Sequence, residues 1–259
     1  MVKTKNAIFG VLSPDASAMV LSTEQQTTKP IVTWEPPPDD FVFPDDSIKN
    51  IQQPFLAAAL TDALGESGQI QPEMLIGSNL ALVASINKKA VAKAPDWFYI
   101  PRVWPFPENI IRRSYTQQTR EYPVAIVMEF LSADDCNELS LRSTPPYGKL
   151  YFYEQILQVP TYVTYDPYSS SLQVRCLENS QYVLQPVDAD GRFWIPELQL
   201  KLGLWRGERL GKTTHWLRWW DKAGNLLLWS SEQVGVERQK AEALAAKLRE
   251  LGIDPDTLS

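Results

Sequence analysis

Three ionisable residues stand where apolar segments begin or end. Asp96 opens one such segment, Glu129 ends another, and Lys149 opens a helical segment. The continuous apolar run 124–128 is typical of a strand covered on both faces, where a carboxylate is costly to bury without a cation or donor. If the strands are neighbours, the carboxylates converge on a site suited to a hard divalent ion. Lys149 could then orient a water molecule or offset developing negative charge, which suffices for phosphodiester hydrolysis without histidine.

Each of these residues also has a purely structural interpretation. Asp96 could be a turn residue before a strand, and Glu129 could be the buried partner of an arginine such as Arg112. Lys149 could be a solvated residue in a first helical turn. The joint spacing and context of the three residues, rather than any one of them, favours a functional site.

The scarcity of histidine and cysteine excludes several classes of site. The chain has one histidine, His215, in a segment that alternates like a strand. Zinc sites of the Cys/His type and most Ser-His-Asp hydrolases need more such residues, so His215 is interpreted as structural. Cys136 and Cys176 lack metal-binding or disulfide spacing and are expected to be reduced core residues.

Periodicity predicts the elements that must position Asp96, Glu129 and Lys149. Apolar residues at helical spacing predict a helix from Pro54 to about Gly65. Short β-branched or aromatic runs predict three strands of one sheet: Met74–Ile86, Asp96–Val103 and Val124–Ser132. A helix over Lys149–Leu157, before a strand at Tyr162–Tyr165, indicates an α/β sheet with a crossover. On that helix Tyr153 is expected to pack and Glu154 to face solvent.

The second half of the chain is predicted to be β-rich. Strands are expected at Leu172–Leu177, Tyr182–Val187, Leu198–Trp205, Trp216–Trp220 and Leu226–Trp229, with a hairpin turn at Asp221–Gly224. Apolar residues three and four apart predict a terminal helix over Val234–Leu251. This helix could pack on its own domain or serve self-association. The expected fold class is α/β, with a mixed central β-sheet flanked by helices.

Two other features allow a functional or a structural interpretation. The segment Gly207–Thr213 resembles a phosphate loop, but it has three residues between its glycines where that motif needs four. The tryptophans of the C-terminal half could stack bases or sugars. Their alternating positions instead favour a role in the core of a β-layer.

Charge and hydropathy bound the partners and the location. The chain of 259 residues has a net charge of −6, yet residues 88–120 contain seven basic and two acidic residues. A basic segment on an acidic body can mark a polyanion site, although it can also be a solvated loop. No apolar run reaches the length of a membrane span and no leader is evident, so a cytoplasmic location is expected.

The order of these motifs resembles that of the Uma2 family of restriction endonucleases, a bacterial family of the PD-(D/E)XK nuclease superfamily. The resemblance covers roughly residues 41–207 and is carried by these segments: Pro95-Asp96, Glu129-x-x-Ser132, Lys149-x-x-x-Tyr153, Tyr165-Asp166-Pro167 and Asp188–Arg192. It implies a restriction-endonuclease-like fold. It also implies that Asp96, Glu129 and the Phe130 carbonyl are metal ligands and that Lys149 is catalytic.

The chain departs from the family pattern at several positions. The superfamily lysine usually lies two residues after the glutamate, where this chain has Leu131. The N-terminal acid of many members has only weak substitutes here: Asp45, Asp46 and Glu73. The aspartate that often precedes the lysine is replaced by the segment 144–146. These departures leave open a weakened or lost nuclease activity.

The sequence therefore predicts a Mg²⁺-dependent DNA endonuclease, with Mn²⁺ as an alternative ion. Arg112 and Arg113 are expected to contact the DNA backbone, and a homodimer is expected from the family. The predicted organisation is an extended arm (1–50), an endonuclease-like domain (51–207) and a hairpin-helix extension (208–259). The alternative is an inactive nuclease-like module for binding or self-assembly. A third hypothesis, a small-molecule phosphohydrolase, is disfavoured because the sequence has no recognisable phosphate loop.

Overall fold

The computed structural model describes residues 32–34, 51–104, 111–117, 122–131 and 139–254. The described residues belong to one compact unit, Ile31–Ser259. Most of the predicted N-terminal arm lies outside the described residues, as does Cys136. Cys176 has a free thiol, but it is half-buried rather than a core residue as expected.

Helix α1 spans Gln52–Glu66 and confirms the helix predicted from Pro54. Proline is tolerated in a first helical turn because the amide groups there have no intrahelical acceptor. The apolar face of α1 is buried, including Leu56, Leu60 and Leu64. The local pattern thus determined both the helix and the face that it buries.

A six-stranded mixed sheet forms the centre of the fold. In chain order its strands are β2 (Leu75–Gly77), β5 (Trp97–Ile100), β7 (Ile126–Phe130), β8 (Thr161–Asp166), β9 (Ser171–Glu178) and β10 (Gln181–Leu184). Across the sheet the strand order is β10-β9-β8-β7-β5-β2. Strands β7 and β8 are parallel and the other neighbours are antiparallel. The predicted α/β class with a mixed central sheet is confirmed.

The helical connection between β7 and β8 is the predicted crossover, which a parallel pair of strands requires. It contains α2 (Lys149–Tyr151) and a π-helical turn (Phe152–Ile156). The connection begins at Gly148, where a Cβ atom would lie 2.0 Å from the carbonyl oxygen of Ser140. Only glycine therefore lets the chain approach this closely immediately before Lys149.

A second sheet packs on one face of the central sheet. It contains β1 (Val32–Thr33), β3 (Ala81–Ile86), β4 (Lys89–Lys93) and β6 (Ser114–Thr116). The predicted single strand Met74–Ile86 was wrong, since it splits into β2 and β3 in different sheets. Asn79, at a φ of 53°, lies where the chain turns between them, and asparagine tolerates this left-handed conformation.

A third sheet packs on α1 and is made of β11 (Phe193–Ile195), β12 (Leu200–Arg209) and β13 (Lys212–Trp220). The tight turn of its hairpin is Leu210-Gly211, both at positive φ. The segment that resembled a phosphate loop is therefore a hairpin. The turn predicted at Asp221–Gly224 is present, since the Gly224 N–H donates to the Asp221 carbonyl oxygen at 3.1 Å. The strand predicted after it, Leu226–Trp229, was wrong, because only an isolated antiparallel bridge joins Trp220 to Leu226.

Two apolar clusters cover the two faces of the central sheet. One joins this sheet to α1 and the third sheet and includes Trp97, Trp216, Trp219 and Trp229. The other joins it to the second sheet and the crossover helix. The core interpretation of the C-terminal tryptophans is confirmed for Trp216, Trp219, Trp220 and Trp229, which are buried, whereas Trp205 is half-buried against this cluster. The indole N–H groups of Trp219 and Trp229 donate to the carbonyl oxygens of Leu60 and Ala59 on α1.

The terminal helix α3 spans Ser230–Glu250 and has no buried residue. It is anchored at its start, where the Arg218 guanidinium on β13 contacts Glu232 at 2.6 Å. Arg218 also lies over the Trp229 ring, with its guanidinium carbon 3.4 Å from the ring centroid. None of the helices among the described residues has the length and apolarity needed to cross a membrane.

Candidate functional site

Glu129 lies near the C-terminal end of β7 and is only 1% exposed to solvent. Its Oε2 is 3.2 Å from the Lys149 Nζ, and its Oε1 accepts a hydrogen bond of 2.8 Å from the Tyr153 hydroxyl. A buried carboxylate requires such partners, since burial without them strongly disfavours the charged form. The crossover helix thus supplies two donors, four residues apart, to one carboxylate.

Asp96 lies directly before β5, beside β7, and is 4% exposed. Because Trp97 pairs with Met128 in an antiparallel register, continuing that register by one residue places Asp96 opposite Glu129. Residues opposite each other on neighbouring antiparallel strands have Cβ atoms about 4.5–5.5 Å apart. The two carboxylates predicted from sequence therefore occupy facing positions on neighbouring strands.

Hydrogen bonds hold the backbone around Asp96. Its Oδ2 accepts a 2.7 Å hydrogen bond from the backbone N–H of Phe130, and its carbonyl oxygen accepts one of 2.7 Å from the Ser78 hydroxyl. The N–H of Asn79 donates to the Pro95 carbonyl oxygen at 3.0 Å. The turn between β2 and β3 thereby positions the start of β5.

Lys149 is 6% exposed, so it is not the solvated helical residue of the structural interpretation. Its ammonium group and the two carboxylates, counted as charged, sum to −1. Such a set of buried charges is stable only when its members are close together and hydrogen-bonded. The excess of carboxylate is also what a site for an additional cation would need.

Gln53 is a further residue at this site, and sequence reasoning missed it. It is 4% exposed on the first turn of α1, and its side-chain amide donates to the Phe130 carbonyl oxygen. A polar residue at a helix start is ordinarily solvated, so no local signal indicated its burial. The contact joins residues 77 positions apart in the chain. Helix α1 therefore contacts the carbonyl that the family resemblance implies is a metal ligand.

The oxygen donors at this site suit a hard divalent ion. Carboxylate and carbonyl oxygens are the ligands that Mg²⁺ and Ca²⁺ prefer, and Mg²⁺ usually retains several waters. Each carboxylate oxygen can accept more than one interaction, so a carboxylate that accepts hydrogen bonds can also bind an ion. Within the described ranges no three His, Cys, Asp or Glu side chains cluster. An ion here would therefore depend on two carboxylates, a carbonyl and water.

Several predicted residues lie elsewhere or in unexpected surroundings. Arg112 and Arg113 precede β6 in the second sheet, where the Arg112 guanidinium lies 5.5 Å from the centroid of the Tyr115 ring. Glu154 was expected to face solvent but is 8% exposed and accepts a 2.6 Å hydrogen bond from the Tyr182 N–H. The π-helical turn, which buries consecutive residues, explains this error.

His215 has a structural environment, as expected. Its Nδ1 is 2.9 Å from the Ser170 hydroxyl, and its carbonyl oxygen accepts a hydrogen bond of 3.0 Å from the Tyr165 hydroxyl. Burial raises the pKa of Tyr165 to about 12, so this hydroxyl stays protonated at neutral pH. The contact ties the end of β8 to β13.

Comparison with known proteins gives one family. The family model of Uma2, described as "Putative restriction endonuclease", matches residues 44–210. This range covers more than half of the chain and includes Asp96, Glu129 and Lys149. No curated protein matches the chain.

Proposed function

We propose that this chain, which belongs to the Uma2 family, is a metal-dependent endonuclease that hydrolyses phosphodiester bonds of DNA at Asp96, Glu129 and Lys149. The observation that supports this most is the contact of 3.2 Å between the Lys149 Nζ and Glu129, beside Asp96 on the neighbouring strand. Three residues that are distant in the chain thus meet at one end of the central sheet.

Each side chain has a separate task in the proposed reaction. Asp96, Glu129 and the Phe130 carbonyl would hold a Mg²⁺ or Mn²⁺ ion. That ion supplies Lewis acidity toward the phosphate oxygens when it is bound. Lys149 would stabilise the negative charge that develops on the phosphate, because a preorganised cation in a buried site costs no rearrangement during the reaction.

Two neutral residues would act through the others as positioning residues. Tyr153 fixes the Glu129 carboxylate through its 2.8 Å hydrogen bond. Gln53 fixes the direction of the Phe130 carbonyl group through its amide. Such support matters because a displacement of about 1 Å at reacting groups can reduce rates about 100-fold.

The test is plasmid cleavage in Mg²⁺ or Mn²⁺ together with calorimetric titration of each metal. Asp96→Asn and Glu129→Gln keep the side-chain volume and should abolish both cleavage and the carboxylate-dependent metal binding. Glu154→Gln is the matched control, because it also neutralises a buried glutamate. The Glu154 carboxylate lies on the crossover helix and accepts a hydrogen bond from the Tyr182 N–H. Full cleavage by both site variants would refute the proposed site.

A catalytically inactive binding or self-assembly module is the second candidate. Helix α3 favours it, since Val234, Leu244 and Leu251 are 68%, 63% and 75% exposed along and just after this helix. Metal binding without cleavage, or no binding that depends on Glu129, would support this candidate. A homodimer, a cytoplasmic location and the division into arm, domain and extension stay predictions from the sequence.

A further inference from the structure

A groove of about 420 Å³ lies between β4 and the segment Pro145–Tyr147. We call it the β4 groove. Strand β4 pairs with β3 on one side only within the described part of the second sheet. Among the described residues, the groove therefore runs along an edge of the second sheet.

The lining of the β4 groove is basic and apolar. Lys89 and Lys93 line it together with Val91 and Tyr147, and none of its lining residues, all within the described ranges, is acidic. Alternation along a strand puts Lys89, Val91 and Lys93 on one face. This concentration of positive charge contrasts with the net charge of −6 of the whole chain.

The hairpin turn extends the basic surface beyond the groove. Lys88, in the turn between β3 and β4, is exposed next to the exposed Lys89. Within the described part of the chain neither lysine has an acidic partner. Two such cations gain little from the folded protein itself but would bind a polyanion.

Both sides of the β4 groove are formed by segments that are close in the chain to residues of the candidate site. Lys93 lies three residues before Asp96, and Tyr147 lies two residues before Lys149. From Lys89 to Lys93 the strand rises about 13 Å. One strand of duplex DNA carries about four phosphates over that axial distance. Strand β4 is therefore long enough to run beside several phosphates of one DNA strand, and Asp96 follows shortly after its end.

We propose that the β4 groove binds the backbone of the DNA strand that is cut, with Lys88, Lys89 and Lys93 contacting its phosphates. Val91 and Tyr147 contact the sugars. Tyr147 is held for this by Tyr151, whose ring is nearly parallel to it at a centroid distance of 6.0 Å. This inference rests on the proposed function, and within the basic segment 88–120 it assigns backbone binding to the three lysines at β4 rather than to Arg112 and Arg113.

The competing explanation is protection of a sheet edge. Natural proteins place lysine on exposed edge strands to prevent pairing with other chains. In that case removal of Lys88 and Lys89 would leave DNA binding unchanged. An extended peptide that added to the β4 edge would give the same result.

The test measures binding of fluorescent duplex and single-stranded oligonucleotides by anisotropy, in EDTA, over a series of salt concentrations. The variant Lys88→Gln/Lys89→Gln retains polar side chains but loses two charges. Each phosphate contact contributes about 0.9 to the slope of log affinity against log salt for duplex, and about 0.7 for single strands. This slope is negative, and its magnitude should therefore decrease by about 1.8 for duplex DNA or by about 1.4 for single strands.

Two controls locate the effect. Lys240→Gln/Lys247→Gln removes the same charge from the exposed face of α3 and should leave the slope unchanged. Arg112→Ala/Arg113→Ala tests the site predicted from sequence. A slope that decreases with the arginine variant, and not with the β4 variant, would overturn the inference.

The binding assay separates this inference from the proposed function. Wild type that binds DNA with the same slope as the β4 variant would refute the groove and leave the endonuclease proposal standing. Wild type that binds neither duplex nor single strands at low salt in EDTA would also refute the groove. The proposed function is judged separately, by cleavage in Mg²⁺ or Mn²⁺.

Discussion

Replacement of Lys149 by methionine tests whether the buried carboxylates depend on this cation. The side chains of Lys149 and Glu129 are only 7% and 1% exposed, with 3.2 Å between their charged atoms. Loss of one partner from such a pair leaves a buried charge without its counterion, which costs about 3–5 kcal/mol. For a unit of this size, each kcal/mol lowers Tm by about 2–4 °C. The expected decrease in Tm is therefore about 6–20 °C.

A double-mutant cycle isolates the contribution of the pair. Glu129→Gln removes the charge and retains an oxygen that can accept from Tyr153. In the double variant the methionine no longer faces a carboxylate at position 129. Lys149→Met should therefore lower the free energy of unfolding less in the Glu129→Gln background than in wild type. We expect a coupling free energy of about 0.5–3 kcal/mol, the range for residues in direct contact. Urea denaturation in EDTA at neutral pH would measure all four proteins.

A surface pair is the matched control. The Lys240 Nζ is 2.9 Å from Glu237 on α3, with side chains 63% and 57% exposed. Exposed pairs of this kind contribute about 0–1 kcal/mol. Lys240→Met should therefore change Tm far less than Lys149→Met does. Equal effects of the two variants, or strictly additive effects of Glu129→Gln and Lys149→Met, would refute the reasoning.

Three further predictions concern residues that support the fold or the site. Burial raises the pKa of Glu197 above its usual 4.5, so its contribution to stability is full below that value and is lost as the pH rises through the folded pKa. Glu197→Gln should therefore raise Tm relative to wild type at pH 7–8 but not at pH 4, and a constant difference across this range would contradict it. Arg218→Met should lower the unfolding free energy by about 3 kcal/mol in urea titrations, because the guanidinium is fully buried against Glu232; a loss below about 0.5 kcal/mol, typical of surface substitutions, would contradict it. Gly148→Ala would place a Cβ atom 2.0 Å from a backbone oxygen, so the start of α2 should shift and cleavage should fall while circular dichroism shows a folded protein; unchanged cleavage would show that this approach does not position Lys149.

Local patterns in the sequence predicted the elements whose signals are short-range. Helical spacing of apolar residues identified α1 and α3, and runs of β-branched residues identified β7 and β8. Hydrogen bonds within a helix join neighbours in sequence, so periodicity and the terminal residues carry most of that information. The chain positions of Asp96, Glu129 and Lys149 were also readable, because a charge at the end of an apolar run is conspicuous.

Sheet membership and turn position were harder to predict. The segment 74–86 contains the turn-forming residues Gly77, Ser78 and Asn79 between two apolar runs. Because both sheets offer buried positions, nothing local shows that β2 and β3 belong to different sheets. The turn at Leu210-Gly211 joins two long strands, whereas the turn at Asp221–Gly224 is followed only by an isolated bridge, although both segments contain glycine. Which turn closes a hairpin depends on which strands can pair, and this is decided by packing against the rest of the chain.

The sequence by itself determined which residues could do chemistry and the elements that carry them. Only the tertiary structure decided which residues contact them: Gln53 from α1 at the Phe130 carbonyl and Tyr153 at Glu129. It also decided that lysines of β4 and Tyr147 line one groove. The physical reason is that side-chain partners distant in the chain are selected by the packing of whole elements. Burial then makes each such contact costly to lose.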